Sequence, residues 1–315
     1  MVETAAPPGY RFRRPTSGDL EETHRVLCEI QETDFGEADF TLEKMAAAWK
    51  LTDPKNMWIA EDEGGRIVAF ATIRVRHPTR LRVFAGVVPE HRGKGLGARL
   101  LQVIEERGRE LAAEAPAGED VYIGQDIGWR NTDGGPLLER YGYEQERTFW
   151  KMGIDLTEEP PQQEVPEGIS LEGMRPGTER ELFDASEEAF QDHWDHKPHD
   201  YDEWRAWMIE RDTFDPSLWL VAYDGDEIAG MSMNYVDPGE AWVGVLAVRR
   251  PWRRRGLGLA LLCASFREFW KRGVPKASLG VDAQNPTGAT RLYERAGMHV
   301  VYESNAYRKV VPRAA

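Results

Sequence analysis

Two cysteines in 315 residues leave no material for a disulfide framework. Cys28 and Cys263 both fall inside apolar helical patterns, so a reduced, cytoplasmic setting is expected. No apolar run approaches the roughly 18 residues needed for a membrane-spanning helix, and no membrane partner is expected. The start, Met1-Val-Glu-Thr-Ala-Ala-Pro-Pro8, has neither a basic nor an apolar region, so no signal peptide is expected. Positive charge is scarce too: 40 Lys and Arg against 54 Asp and Glu give a formal net charge of −14. That balance disfavours nucleic acid as a partner. A nucleotide-type phosphate loop is also missing, because Lys94 lies between Gly93 and Gly95 with no hydroxyl residue following.

What the chain does have is ordinary globular composition and an internal repeat. Hydrophobic residues make up 41% and charged residues 30%, and the length suits two domains. Arg14-Pro15 recurs as Arg175-Pro176, Trp58 as Trp219, Ile67 as Ile228, and Arg92, Gly95 and Gly97 as Arg253, Gly256 and Gly258. Every pair is offset by 161 positions. A period so long marks a duplicated domain, since solenoid repeats run at about 20–50 residues. The polar, proline-bearing stretch 156–167 reads as a linker between domains 1–155 and 168–315. Each half alternates strands and helices in one order: a short strand, a helical region, three strands, a long helix, a strand, a short helix and closing strands. In the first half, Ser17 is the expected N-cap of a helical region running to Lys50. In the second, helices are expected from Tyr201 to Arg211 and from Thr287, with two closing strands near 299–303 and 306–311. The fold class is α/β (α+β), a mixed sheet flanked by helices, made twice.

The stretch from Val245 to Leu262 joins an apolar strand to a helix through an arginine-rich, glycine-spaced turn. Arg249, Arg250, Arg253, Arg254 and Arg255 form a basic island in an acidic chain. Glycines let backbone N–H groups approach a ligand, and a helix start carries partial positive charge, so a phosphate is favoured there. Such an island suits a small polyanion better than a long duplex.

The segments Val88-Pro-Glu-His-Arg-Gly-Lys-Gly-Leu-Gly97 and Val248-Arg-Arg-Pro-Trp-Arg-Arg-Arg-Gly-Leu-Gly258 resemble the pyrophosphate-binding motif of the GNAT acetyltransferase superfamily. Gly280-Val-Asp-Ala-Gln-Asn285, followed by Leu292-Tyr-Glu-Arg-Ala-Gly297, resembles that family's next strand, loop and tyrosine-bearing helix. The resemblance implies acetyl-CoA, or another acyl-CoA, as cosubstrate, and no metal. It implies that Leu246, Ala247 and Val248 offer backbone groups to the pantetheine arm. Arg253, Arg254, Arg255, Gly256, Leu257 and Gly258 would wrap the pyrophosphate, and Asn285 would support the arm or the helix entry. The counterparts in the first half are Val87, Val88, Arg92, Gly95 and Gly97.

Tyr293 is the expected general acid, a phenol that protonates the departing thiolate. The first half has Leu138 at that place, and leucine cannot donate a proton; Tyr141 or Tyr143 could substitute only with shifted geometry. A catalytically silent first half is therefore expected. For the base, alternation places Glu240 on one strand face with Trp242, Gly244 and Leu246. A solvated acid at a strand end is the equal alternative for Glu240. In the family the region between the first two helices helps form the acceptor pocket. Here it runs from Gln191 to Trp204, and its acids Asp192, Asp195, Asp200, Asp202 and Glu203 would favour a cationic acceptor. Trp194, Trp204 and Trp207 are candidate pocket walls, with helix-to-sheet packing the stronger reading for the latter two. His193, His196 and His199 lack a recognised zinc spacing, and Pro198 interrupts a regular helix.

The expected activity is acetyl transfer from acetyl-CoA to a primary amine of a small molecule, by direct attack, with monomer or homodimer both open. Within the family, size and duplication resemble the tandem mycothiol synthases, which acetylate a cysteinyl amine. Tyr293 and the segment Asn305-Ala-Tyr307 fit that comparison, whereas Trp242 stands where an acid aligns, with Glu240 two places earlier. A non-catalytic acyl-CoA sensor built on the same fold is the alternative.

Overall fold

The computed structural model describes residues 6–312 except 39, 192, 195, 211–213, 286 and 287. In chain order the first half forms β1 (Tyr10–Arg13), α1 (Leu20–Phe35), α2 (Leu42–Leu51), β2 (Met57–Asp62), β3 (Ile67–His77), β4 (Arg80–Val87), α3 (Leu96–Glu114), β5 (Val121–Gly128), α4 (Gly134–Arg140) and β6 (Glu144–Asp155). The second half repeats this with β7 (Ile169–Gly173), α5 (Glu179–Phe190), α6 (Tyr201–Met208), β8 (Trp219–Asp224), β9 (Glu227–Asp237), β10 (Glu240–Val248), α7 (Leu257–Lys271), β11 (Lys276–Asp282), α8 (Ala289–Arg295) and β12 (His299–Val311).

The chain divides into two compact units, Met1–Phe149 with Tyr302–Ala315, and Trp150–Val301. This differs from a cut at 156–167, because the end of β12 counts with the first unit and the end of β6 with the second. Two copies of one pattern carry equivalent closing strands, so periodicity cannot say which sheet receives which strand. Residues 156–166 form neither helix nor strand.

In the first unit the strand order is β1-β2-β3-β4-β5-β12. β4 and β5 run parallel, and β12 returns antiparallel from Ser304 opposite Gly128 to Val311 opposite Val121. β3 is buried at every position from Ile67 to Ile73, as a strand covered on both faces must be, and it contacts α1 and α3. The β2–β3 turn is set by Asp62, whose carboxylate accepts from the N–H groups of Gly64 and Arg66 at 2.9 and 3.0 Å.

In the second unit the order is β6-β11-β10-β9-β8-β7. β10 and β11 are parallel, while β9 is antiparallel to both β8 and β10. α7 sinks Leu257, Leu261, Leu262, Phe266 and Phe269 into the core, each contributing about 1.5–3 kcal/mol.

Four local expectations change. Thr16, not Ser17, begins the first helical region: Asp19 accepts from both the N–H and the hydroxyl of Thr16, at 2.6 and 2.8 Å. That region breaks into α1 and α2 at Gly36, which takes a left-handed φ of 98°. The two closing strands are one strand, β12, because Ser304 and Asn305 keep the ladder to β5. α6 ends at Met208, and Arg211 lies outside the described residues, as does Thr287, so α8 is described from Ala289.

Candidate functional site

The site grows from the way β10 leaves β11. Among the described residues their parallel ladder holds Ala241 opposite Ala277 and Trp242 opposite Ser278 alone. Just beyond, β10 bulges against β9 between Val243 and Val245. A bulge bends and twists its strand, which turns β10 away from β11. Gly244 permits it, since a Cβ there would lie 3.1 Å from the Tyr235 ring and 3.2 Å from the Met233 carbonyl. Past Trp242 the two strands open into a wedge. Leu246, Ala247 and Val248 form its β10 wall, with no ladder to β11 among the described residues.

At the wide end of the wedge the chain makes the arginine turn. Arg253 donates from Nε to the Val248 carbonyl at 2.9 Å and from Nη2 to the Ala189 carbonyl at 3.0 Å. Arg249 bonds Glu188 at 2.7 Å and the Ile228 carbonyl at 2.9 Å. These two arginines therefore fasten the turn to the fold. Arg254 and Arg255 are exposed and make no ion pair among the described residues. Arg254 is the one non-glycine at positive φ among them, at 63°, and Gly256 follows at 88°. Alternating left-handed residues turn successive N–H groups inward as an anion-binding nest, and the start of α7 adds its unsatisfied donors. Leu257 is buried in the core and holds the helix start in place. Gly258 serves packing: a Cβ there would lie 3.0 Å from Leu292 on α8.

α8 carries Tyr293 back toward α7. Its side chain is 8% exposed, and its hydroxyl makes no hydrogen bond among the described residues. Burial pushes the phenol up to about 12, so it stays protonated across the physiological range. Asn285 closes the turn after β11, its N–H donating to the Asp282 carbonyl at 3.0 Å.

Glu240 lies at the other end of β10, eight residues and roughly 26 Å of strand from Val248. It is 8% exposed rather than solvated. Ser278 Oγ donates to it at 2.6 Å and Lys151 Nζ at 3.2 Å, with Lys276 Nζ at 3.7 Å. Lys151 also sits 4.7 Å over the Trp242 ring, which stacks on Tyr235. Sequence reasoning missed Lys151 and Ser278, because nothing in their spacing ties β6 or β11 to Glu240.

Between α5 and α6, Glu187 meets His199 Nδ1 at 2.7 Å and His196 Nε2 at 3.5 Å. Among the described residues no group of three ligands could hold a metal. Asp192 and Asp195 lie outside the described residues. Asp200 caps α6 through the N–H groups of Asp202 and Glu203. Trp204 packs on Phe183 and Trp219, as expected, but Trp207 is 59% exposed, and Trp194 is exposed as well.

The first unit has the same turn without the phenol. Arg92 donates to the Val87 carbonyl at 3.0 Å and to Asp34 at 2.7 Å, repeating the Arg253 tether. Gly95 is left-handed at 88°, Gly97 approaches Leu137, and Val87 and Val88 are buried. Leu138 is buried where Tyr293 stands in the second unit. Tyr143 is buried with its hydroxyl unpartnered among the described residues, and burial raises its pKa above the usual phenol value.

Residues 21–117 and 180–298 match the acetyltransferase (GNAT) family, one match in each half. A mycothiol acetyltransferase of Saccharopolyspora erythraea is 30% identical over 247 residues, which cover 76% of this chain and 80% of that protein. A GCN5-related N-acetyltransferase from Sphaerobacter thermophilus superposes with a TM-score of 0.85 at 35% identity, covering 98% of each chain. A tandem GNAT protein from the clavulanic acid biosynthesis pathway shares the fold, with a TM-score of 0.73 at 14% identity over 97% of this chain and all of that one. The chain belongs to the GNAT acetyltransferase family, as a member with two tandem GNAT units.

Proposed function

We propose that the chain moves an acetyl group from acetyl-CoA to a primary amine of a small molecule, at a site in the second unit. The observation that carries this reading is the conjunction found there: an open strand wedge, an anion nest and a buried, uncommitted phenol. The nest from Arg254 to Gly258 receives the diphosphate, with the Arg254 and Arg255 guanidinium groups adding charge. The pantetheine amides extend along Leu246, Ala247 and Val248, replacing the missing ladder partner. Backbone N–H groups of β10 then face the thioester carbonyl and stabilise the oxyanion as the amine attacks. Collapse of the tetrahedral intermediate breaks the C–S bond, and Tyr293 gives its proton to the leaving sulfur.

Glu240, already held by Lys151 and Ser278, takes up the amine proton through intervening water in this reading. Turnover of Glu240→Gln that matches the parent at every pH would return Glu240 to a purely structural ion pair. For the acceptor, the mycothiol acetyltransferase relatives favour a cysteinyl amine as one specific reading. Asn305 and Tyr307, however, lie in the first unit, where Gln145 and Thr148 donate to Asn305 at 2.8 Å.

The deciding experiment follows free thiol released from acetyl-CoA across a panel of amines, a cysteinyl amino sugar among them. Amine-dependent release supports the transferase. Acetyl-CoA binding with no release by any amine would make the protein a sensor instead.

A further inference from the structure

The two units share one turn but differ in the wedge it serves. Matching the ladders from the ends of β4 and β10 pairs the halves residue by residue. Val87 faces Ala69 and Arg82 faces Arg74, while Val248 faces Gly230 and Trp242 faces Tyr235. Arg82 is also opposite Gly124, as Trp242 is opposite Ser278. Trp242 is thus the counterpart of Arg82, Leu279 of Gln125, and Gly280 of Asp126. β4 has no bulge at this level, and its ladder to β5 continues to Val83 opposite Gln125.

At the point where the first wedge should open, side chains cross it on both faces. The Gln125 amide donates from β5 to the Ala85 carbonyl of β4 at 3.1 Å. Ala85 is the counterpart of Leu246, whose backbone the pantetheine arm needs in the reading above. Gln125 is buried, and among the described residues its Oε1 has no partner and its amide bonds Ala85 alone. Successive strand residues face opposite sides, and on the other side Asp126 pairs with Arg82 from β4. Among the described residues the second unit has neither bridge. Leu279 has no donor, and a Cβ on Gly280 would meet nothing within 4 Å.

We propose that Gln125 and the Arg82–Asp126 pair close the first wedge to acyl-CoA, so that the chain binds one acyl-CoA, in the second unit. The proposal rests on the acetyl-CoA reading of that unit. An extended amide chain binds between strands by taking the main-chain groups that a neighbouring strand would take. In the first unit the Ala85 carbonyl is already taken, and entry would strip a buried carboxamide of its bond to Ala85, which costs binding energy. The first turn, with Arg92 tied to Val87 and Asp34, then persists as a fold element.

The test uses the full chain, acetyl-CoA, calorimetric titration and amide hydrogen exchange. The parent is expected to bind one equivalent, with protection confined to residues 245–258. Gln125→Leu with Asp126→Gly gives the first unit the residues of the second. It is expected to bind two equivalents, to gain protection at residues 84–97, and to keep the parent turnover. Gln125→Leu with Asp126→Ala, which removes both bridges without placing a glycine in the strand, serves if that double variant melts early. Protection at 84–97 in the parent overturns the proposal, as does a folded variant that gains none. Absence of protection at 245–258 in the parent strikes the acetyl-CoA reading of the second unit instead, and the variant's 84–97 segment still decides the first.

Discussion

Replacing Tyr293 with Phe removes one oxygen from a buried site and separates chemistry from architecture. A positioned general acid contributes typically 10²–10⁴-fold, or about 3–5 kcal/mol of barrier. The hydroxyl has no hydrogen-bond partner among the described residues, so its loss should cost the fold nothing and stabilise it by up to about 1 kcal/mol. kcat should fall at least a hundredfold, while the Kd for acetyl-CoA stays within about twofold of the parent. Stability against pH gives a second reading of the same oxygen. Burial raises the folded-state pKa to about 12 from an ordinary value of 10.0, so above pH 10 the unfolded chain holds fewer protons than the folded one. Stability falls as pH rises through that window, by about 3 kcal/mol in all. Urea unfolding of parent and Tyr293→Phe at pH 8 and pH 11.5 isolates the contribution, since other tyrosines and lysines cancel in the difference. Because the phenol stays protonated, the parent rate should show no alkaline fall from this group below pH 11. A folded Phe variant with parental kcat, in an assay limited by chemistry, would refute the reasoning.

Three further outcomes follow from the same geometry. Arg254→Gly should raise stability by about 1 kcal/mol in denaturant unfolding, by relieving a left-handed non-glycine, while the lost charge raises the KM for acetyl-CoA. Gly258→Val should lower kcat more than acetyl-CoA affinity, because its side chain pushes on Leu292 beside Tyr293; single-turnover and binding measurements separate the two. Glu240→Gln takes the carboxylate charge from beside Lys151, only 3% exposed, so denaturant unfolding should show a loss of about 3 kcal/mol. Converting Glu240 to Leu and Lys151 to Met together should recover most of that stability.

The elements that depend on short-range pattern were legible in the chain itself. Strand, turn and helix at 245–271, their copy at 80–114, and the tyrosine helix all carry their own periodicity and glycine spacing. What was hidden depends on cross-strand partners far apart in sequence. Glu240 reads as an exposed strand-end acid until Lys151 and Ser278, from β6 and β11, are placed beside it. The sequence places Arg253 in the turn but does not reveal that its guanidinium donates to two carbonyls, or that Arg254 and Arg255 are the exposed cations there. The bulge at Gly244 has no sequence signature beyond the glycine, yet it aligns Trp242 with Arg82 and so makes the two wedges comparable.

The assignment of the closing strands bears on how the protein can be divided. A cut between residues 156 and 167 looks harmless, in a polar segment without helix or strand. Yet the upstream fragment would lack 302–311, which its own sheet needs beside β5, and would carry off 150–155, which the other sheet needs beside β11. Neither fragment would be a domain. A nicked chain should hold together until denatured, whereas the two pieces expressed apart should be insoluble or recover structure only when mixed. Duplication here has produced copies that each depend on the other's last strand, so they would be inherited, truncated and engineered as a pair.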